Sequence, residues 1–159
     1  WEKNDVVVLK LPMKIKTSRW FESSVAIERG PLLYALKIEE DWQKKKNDEW
    51  EDSFYEVYPK SPWNYGIPKR ILEQEDFRVE EKETAVAMPW NLVNAPISIY
   101  TTAKIVPHWK EYNGNTGKLP ESPWPHRELG TEEKRIELIP YGCTTLRISQ
   151  FPLVDIHKK

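Results

Sequence analysis

Three histidines, one cysteine and 25 acidic residues are the groups of this 159-residue chain that could carry chemistry. His108, His126 and His157 lie far apart, without HExxH or paired-histidine spacing, and read as scattered surface residues rather than ligands. Cys143 stands alone in PYGCTT. A single cysteine forms no internal disulfide and no thiolate-rich zinc cage, and beside a turn it reads as a small buried residue. Glycoside cleavage takes two carboxylates facing each other across a cleft, one protonated and one ionised. The runs EED and DEWED read instead as solvated loop charge, because adjacent like charges are costly to bury. There is no GxSxG motif, phosphate-cradling loop or Rossmann pattern, and six glycines leave little room for one. No residue is assigned as catalytic or metal-ligating, and no cofactor is expected.

The remaining signal is aromatic. Trp63 and Tyr65 in SPWNYG, Trp90 in MPWN, Trp109 in PHWKEY and Trp124 in SPWPH all stand in loop-like contexts. Flat aromatic faces beside Asn and carboxylate side chains suit sugar rings, which offer C–H faces and hydroxyl edges. Trp63, Tyr65, Trp109 and Trp124 are therefore the candidate carbohydrate-binding residues. The same pattern has a packing reading, in which Trp next to Pro plugs the end of a sandwich or meets a neighbouring domain.

The elements that would position these residues are strands. DVVVLKLPMKIK is rich in β-branched residues and is broken or bulged at Pro12. SVAIERGPLLYALKIEE reads as two strand pieces turned at Gly30-Pro31. SFYEVY, DFRVEE, ETAVAM and PISIYTTAKIV follow as short strands between Pro-, Asn- and Gly-containing loops such as PKSPWNYGIPK, and KRIELIP and CTTLRISQF complete the set. Short strands at this spacing argue for a sandwich rather than alternating α/β units. The charged stretch from Glu39 to Asp52 reads as a solvated connector or a short amphipathic helix. The stretch HWKEYNGNTGKLPESPWPHRELG reads as irregular. The expected fold is an all-β, antiparallel, jelly-roll-like β-sandwich. Residues 1–38 and 134–159 would form a first, truncated sandwich, and residues 39–133 a second small sandwich inserted within it.

Composition narrows the partners. Lys and Arg number 24 against 25 Asp and Glu, a balance that exerts no electrostatic pull toward nucleic acid or an anionic membrane. The mean hydropathy of -0.70 is polar. Even so, 12% aromatic content is foreign to disordered chains, which are poor in aromatics. No stretch reaches the roughly 18 apolar residues of a membrane helix.

Several phrases occur together in one order: WEKNDVVVLKLPM, AIERGPLLYAL, SPWNYG, LPESP and LIPYGCTTLRISQFP. In these the chain resembles the C-terminal region of the β-L-arabinofuranosidase family, glycoside hydrolase family 127 and its relatives. RGPLLYAL and PYGCTTLRIS are the most specific segments. The resemblance implies an upstream (α/α)6 barrel in the same polypeptide, carrying a cysteine nucleophile and a zinc held by cysteines and a glutamate. None of those residues maps onto this chain, because Cys143 lies in the sandwich motif. The resemblance thus implies a non-catalytic accessory region, plant-type glycans as the associated substrates, and a periplasmic or secreted setting. A stand-alone carbohydrate-binding module using loop tryptophans is the alternative. The start at Trp1 reads as cut, with further strands of the sandwich expected before it.

Overall fold

The longest strand shows how this sequence makes a sheet. In ISIYTTAKI, Ile97, Ile99, Thr101, Ala103 and Ile105 share one face, and Ser98, Tyr100, Thr102 and Lys104 share the other, the two-residue period of a strand. The apolar face turns into the main hydrophobic cluster, and the polar face carries Ser98 and Tyr100 into side-chain contacts. In the computed structural model, which describes residues 1–2, 4–46, 52–82, 87–123 and 132–154, this segment is one of twelve strands.

In chain order these are β1 (Ile15–Arg19), β2 (Val25–Arg29), β3 (Leu32–Leu36), β4 (Glu40–Lys46), β5 (Ser53–Pro59), β6 (Tyr65–Pro68), β7 (Arg78–Glu81), β8 (Ile97–Ile105), β9 (Glu111–Tyr112), β10 (Asn115–Thr116), β11 (Lys134–Pro140) and β12 (Leu153–Val154). One short helix, α1 (Lys69–Glu73), follows β6. The all-β expectation holds. Eight strands form one sheet in the order β1-β2-β3-β11-β8-β6-β12, with β7 also paired to β8. Every pairing in that sheet is antiparallel except β12 with β6. β4 with β5, and β9 with β10, are separate two-stranded ribbons.

The sheet curls back on itself. Val25 of β2 and Phe151 exchange backbone hydrogen bonds of 2.8 and 2.9 Å, and Ile67 N donates to Pro152 O at 2.9 Å. Residues 151–154 therefore bridge β2 on one side and β6 on the other. A second tie crosses the curl where Arg29, at the end of β2, pairs with Glu81, at the end of β7. Inside lies one apolar cluster drawn from β2, β3, β6, β8, β11 and β12 and plugged by Ile71, Trp109 and Ile148. The Tyr34 hydroxyl is buried there with no well-formed hydrogen bond among the described residues. Burial raises its pKa against the opposing charge of Arg29. Outside, β11 carries Glu137, which accepts from Lys37 Nζ (2.9 Å) and Ser98 Oγ (2.7 Å), while the Arg135 guanidinium covers the Tyr100 ring.

The hydrogen bonding crosses the boundaries expected at 38/39 and 133/134. β11 pairs with β3 on one edge and with β8 on the other, so β6, β7 and β8 share a sheet and a core with both end segments. Other segments differ from the sequence reading as well. Val6–Leu11 is outside any strand and exposed, and the first strand begins at Ile15. β-branched residues favour a pleated, half-buried surface, and among the described residues no strand neighbours residues 6–11 to supply one. The charged stretch after Glu39 is strand β4, matched residue for residue to β5 from Glu40↔Pro59 to Lys46↔Ser53. The loop PKSPWNYGIPK contains β6 and the start of α1, and the stretch after His108 contains the β9–β10 hairpin. That hairpin turns at Asn113 (φ 50°) and Gly114 (φ 70°), the Asn-Gly chemistry of a two-residue primed turn. CTTLRISQF begins at the last residue of a 310 turn (Tyr141–Cys143), lies outside the named strands and reaches the sheet through Leu36 N to Ile148 O and the Phe151 bridge. Most of ETAVAM lies outside the described residues.

Gly66 shows how closely β6 meets the C-terminal segment. A Cβ there would lie 2.6 Å from Val154 Cγ1, 3.0 Å from Val106 Cγ2 and 3.1 Å from the Pro152 carbonyl, whereas one on Gly142 would meet nothing within 4 Å. Overpacking of this kind costs about 1–3 kcal/mol. Gly66→Ala is accordingly expected to lower the unfolding free energy by that amount, seen as a fall in the urea midpoint at unchanged slope, with Gly142→Ala neutral or slightly stabilising through the unfolded chain. Equal midpoints for the two variants would contradict the close approach.

Candidate functional site

Trp63 stands just before β6, on the connection that leaves the β4–β5 ribbon, and Trp109 follows β8 by four residues. Their rings meet edge to face, with centroids 5.2 Å apart and planes at 79°. Trp109 is buried, and its Nε1 donates to Gly117 O at 3.1 Å. Tyr65 is buried within β6, where burial raises the pKa of its hydroxyl. Trp63 is half-buried against the core. Of the four aromatic residues singled out from the sequence, the structure thus brings Trp63 and Trp109 together and seals Tyr65 and Trp109 from solvent. Trp124 lies outside the described residues. The physical cause is position: β6 supplies an inner strand of the curl, and Trp109 closes its end, so both rings are used for packing. Trp63 alone of the three described retains an accessible side.

That side lines a cleft of about 210 Å3. Three segments distant in sequence meet there: Val57–Pro59 of β5, the β9–β10 hairpin, and Leu146–Ile148. Polar groups on its walls include Tyr58, Glu111, Asn115 and Arg147. A shallower recess on the other side of Trp63 is lined by Lys60, Asn64, Trp109 and Lys110. Sequence reasoning missed the four wall residues. The Asn113-Gly114 turn signal would have found the hairpin, but no local pattern announces that it faces β5 and residue 147.

The cleft keeps its shape through Glu40. One carboxylate oxygen of Glu40 accepts from Thr145 N (2.8 Å), Leu146 N (3.2 Å) and Thr144 Oγ1 (3.2 Å), and the other accepts from Trp42 Nε1 (2.9 Å). The ribbon is tied further by Glu39 N to Ser61 Oγ (3.0 Å), Lys60 N to Glu39 O (2.7 Å) and the Lys60–Asp41 ion pair (3.3 Å). Burial acts to raise the Glu40 pKa, but the amides of Thr145 and Leu146, the Trp42 indole and the Thr144 hydroxyl outweigh it and hold the carboxyl below its ordinary value. Arg147 is fixed in turn, its Nε donating to Thr144 O (3.0 Å) and its guanidinium 4.8 Å from the Tyr141 ring centre.

Elsewhere, Cys143 is buried beside Ala95 and Ile139, and burial pushes its thiol up despite the nearby Lys82. Such a thiol is a poor nucleophile. Among the described residues no three His, Cys, Asp or Glu side chains gather as metal ligands, and no helix is long and apolar enough to cross a membrane. No protein-family model matches the chain, and no curated protein or solved structure is significantly similar to it.

Glu40 sets an acid response. Because its folded pKa is the lower one, ionised Glu40 contributes stability that is full above the ordinary value of 4.5 and is lost as pH falls through the folded value. Urea midpoints of the wild type should therefore drop between roughly pH 5 and pH 3 by more than those of Glu40→Gln. The variant should also be less stable at neutral pH, by on the order of 1 kcal/mol. Parallel pH profiles for the two proteins would show that the clamp carries no weight.

Proposed function

We propose that the chain is a non-catalytic accessory β-sandwich region of a glycoside hydrolase resembling the β-L-arabinofuranosidases. In this reading it flanks an upstream (α/α)6 catalytic barrel of the same polypeptide, whose substrates are plant-type glycans. The observation that carries the reading is the segment before β1. Val6, Val7, Val8, Leu9 and Leu11 are 67–83% exposed, a run of large apolar side chains that the chain's own core leaves uncovered. Contiguous exposed apolar surface of this kind marks an interaction site, and among the described residues no strand pairs with this segment, which leaves its backbone open to pairing. The buried, low-reactivity Cys143 and the use of Tyr65 and Trp109 for packing support an accessory role over an autonomous catalytic one.

A second reading, a carbohydrate-binding module, is favoured by one observation: the cleft at Trp63 combines an aromatic ring with polar edges. The two readings are compatible within one polypeptide.

Hydrogen exchange tests the first. Amides 6–11 are expected to exchange at least about tenfold more slowly in the intact native polypeptide than in the isolated chain, and the isolated chain to give no turnover of aryl arabinofuranosides. Fast exchange at 6–11 in both forms would remove the basis for a covering domain. Turnover abolished by a carboxylate or Cys143 substitution within this chain would overturn the non-catalytic assignment.

A further inference from the structure

The cleft beside Trp63 has the size and chemistry of a site for a single small ring. Its volume of about 210 Å3 falls below the roughly 300–1,000 Å3 of sites for drug-sized ligands, which is room for one ring of a glycan. Ile38, Pro59, Trp63, Leu146 and Ile148 supply apolar surface, and Tyr58, Glu111, Asn115 and Arg147 supply polar edges. This is the division that a polyhydroxylated ring presents, with C–H faces and a rim of hydroxyls. The polar groups are held in place before any ligand arrives. Tyr58 donates to Glu56 at 2.6 Å, Asn115 Nδ2 donates to Asn113 O at 3.2 Å, and Arg147 is stacked on Tyr141 with its Nε engaged. Prior fixing of this kind lowers the entropic cost of binding.

The charges select the ligand further. Glu111 makes no ion pair or side-chain hydrogen bond among the described residues, while Glu56 is partnered by Lys45 at 3.7 Å. The hairpin thus brings a carboxylate, Glu111, to the lining, and the segment after Thr145 brings a guanidinium, Arg147, so that the formal charges of the lining cancel. A carboxylate on the ligand would gain from Arg147 and lose to Glu111, whereas a neutral ring with neighbouring hydroxyls could donate to Glu111 and accept from Arg147.

We infer that this cleft binds one ring of a neutral glycan, with Trp63 as its apolar contact and Glu111 and Arg147 as its hydrogen-bonding partners. The inference rests on the carbohydrate-binding reading above and specifies its site and ligand class.

The test is an NMR titration of the 15N-labelled chain with methyl β-D-xylopyranoside, methyl β-D-galactopyranoside and sodium D-galacturonate. The neutral glycosides are expected to give saturable shifts at amides 111–116 and 146–148 and at the Trp63 indole. Glu111→Gln should bind them about tenfold more weakly, and galacturonate should bind more weakly than the neutral galactoside. Trp63→Ala is also expected to lose binding, but it removes a ring that packs on Trp109, so Glu111→Gln, whose carboxylate holds nothing in the described fold, is the decisive variant. Saturable shifts that map elsewhere, or that Glu111→Gln leaves unchanged, overturn this inference while the carbohydrate-binding reading stands. No shift from any glycoside, or from longer neutral oligosaccharides, overturns both.

Discussion

The structure depends on β11 being gripped on both edges. Leu138 is the pivot: its backbone is registered against Leu36 of β3 on one side and Ile99 of β8 on the other. Segments more than 60 residues apart in sequence are thereby held in one sheet. The side chains divide in the same way. Ile136 and Leu138 enter the core, while Arg135 and Glu137 knit the outer surface to Tyr100, Ser98 and Lys37. Residues 134–138 pair with β8 and residues 138–140 with β3, so the two ladders overlap at Leu138 and the strand passes from one neighbour to the other; burying a ladder group without a partner costs more than a hydrogen bond gains. Everything else in the curl, from the Phe151 bridge to the Arg29–Glu81 tie, closes a sheet that β11 has already joined.

Strands with one buried face were legible in the sequence, and elements without one were not. ISIYTTAKI and KRIELIP alternate because the core removes one side of each from water. Leu32–Leu36 and its turn at Gly30-Pro31 were read for the same reason. VVVLKL has strong strand composition yet remains outside the sheet, since composition cannot supply a partner. EDWQKKK failed in the opposite direction. Its ribbon has no fully buried face, and it is held by seven register pairs and by the Glu40 clamp, neither of which leaves a hydrophobic period to read. The expected boundaries at 38/39 and 133/134 rest on linker-like composition, whereas the pairing of β11 with β3 and β8 is long-range and local composition does not encode it.

The site was legible by residue type and not by location. Trp63 was found because an aromatic between Pro and Asn is conspicuous, and the same signal picked out Tyr65 and Trp109, which the fold consumes as packing. The residues that give the cleft its polarity, Tyr58, Glu111, Asn115 and Arg147, come from three segments that only the folded chain brings together. Two small ribbons outside the main sheet supply most of its walls. Ribbons of two strands are marginal by themselves, and here Glu40 ties the larger one to the segment that carries Arg147. The apolar segment before β1 differs from this cleft in chemistry, offering large aliphatic side chains where the cleft combines an aromatic ring with polar groups.

The central claim is that β11 unites the chain's ends and its middle into one cooperative core. Native-state hydrogen exchange across increasing denaturant measures this most directly. The amides of β3, β8 and β11 should converge on a single opening free energy equal to that of global unfolding. A lower-energy opening that releases β6, β7 and β8 together, with β2, β3 and β11 still protected, would contradict the account and show the middle of the chain to be a unit of its own.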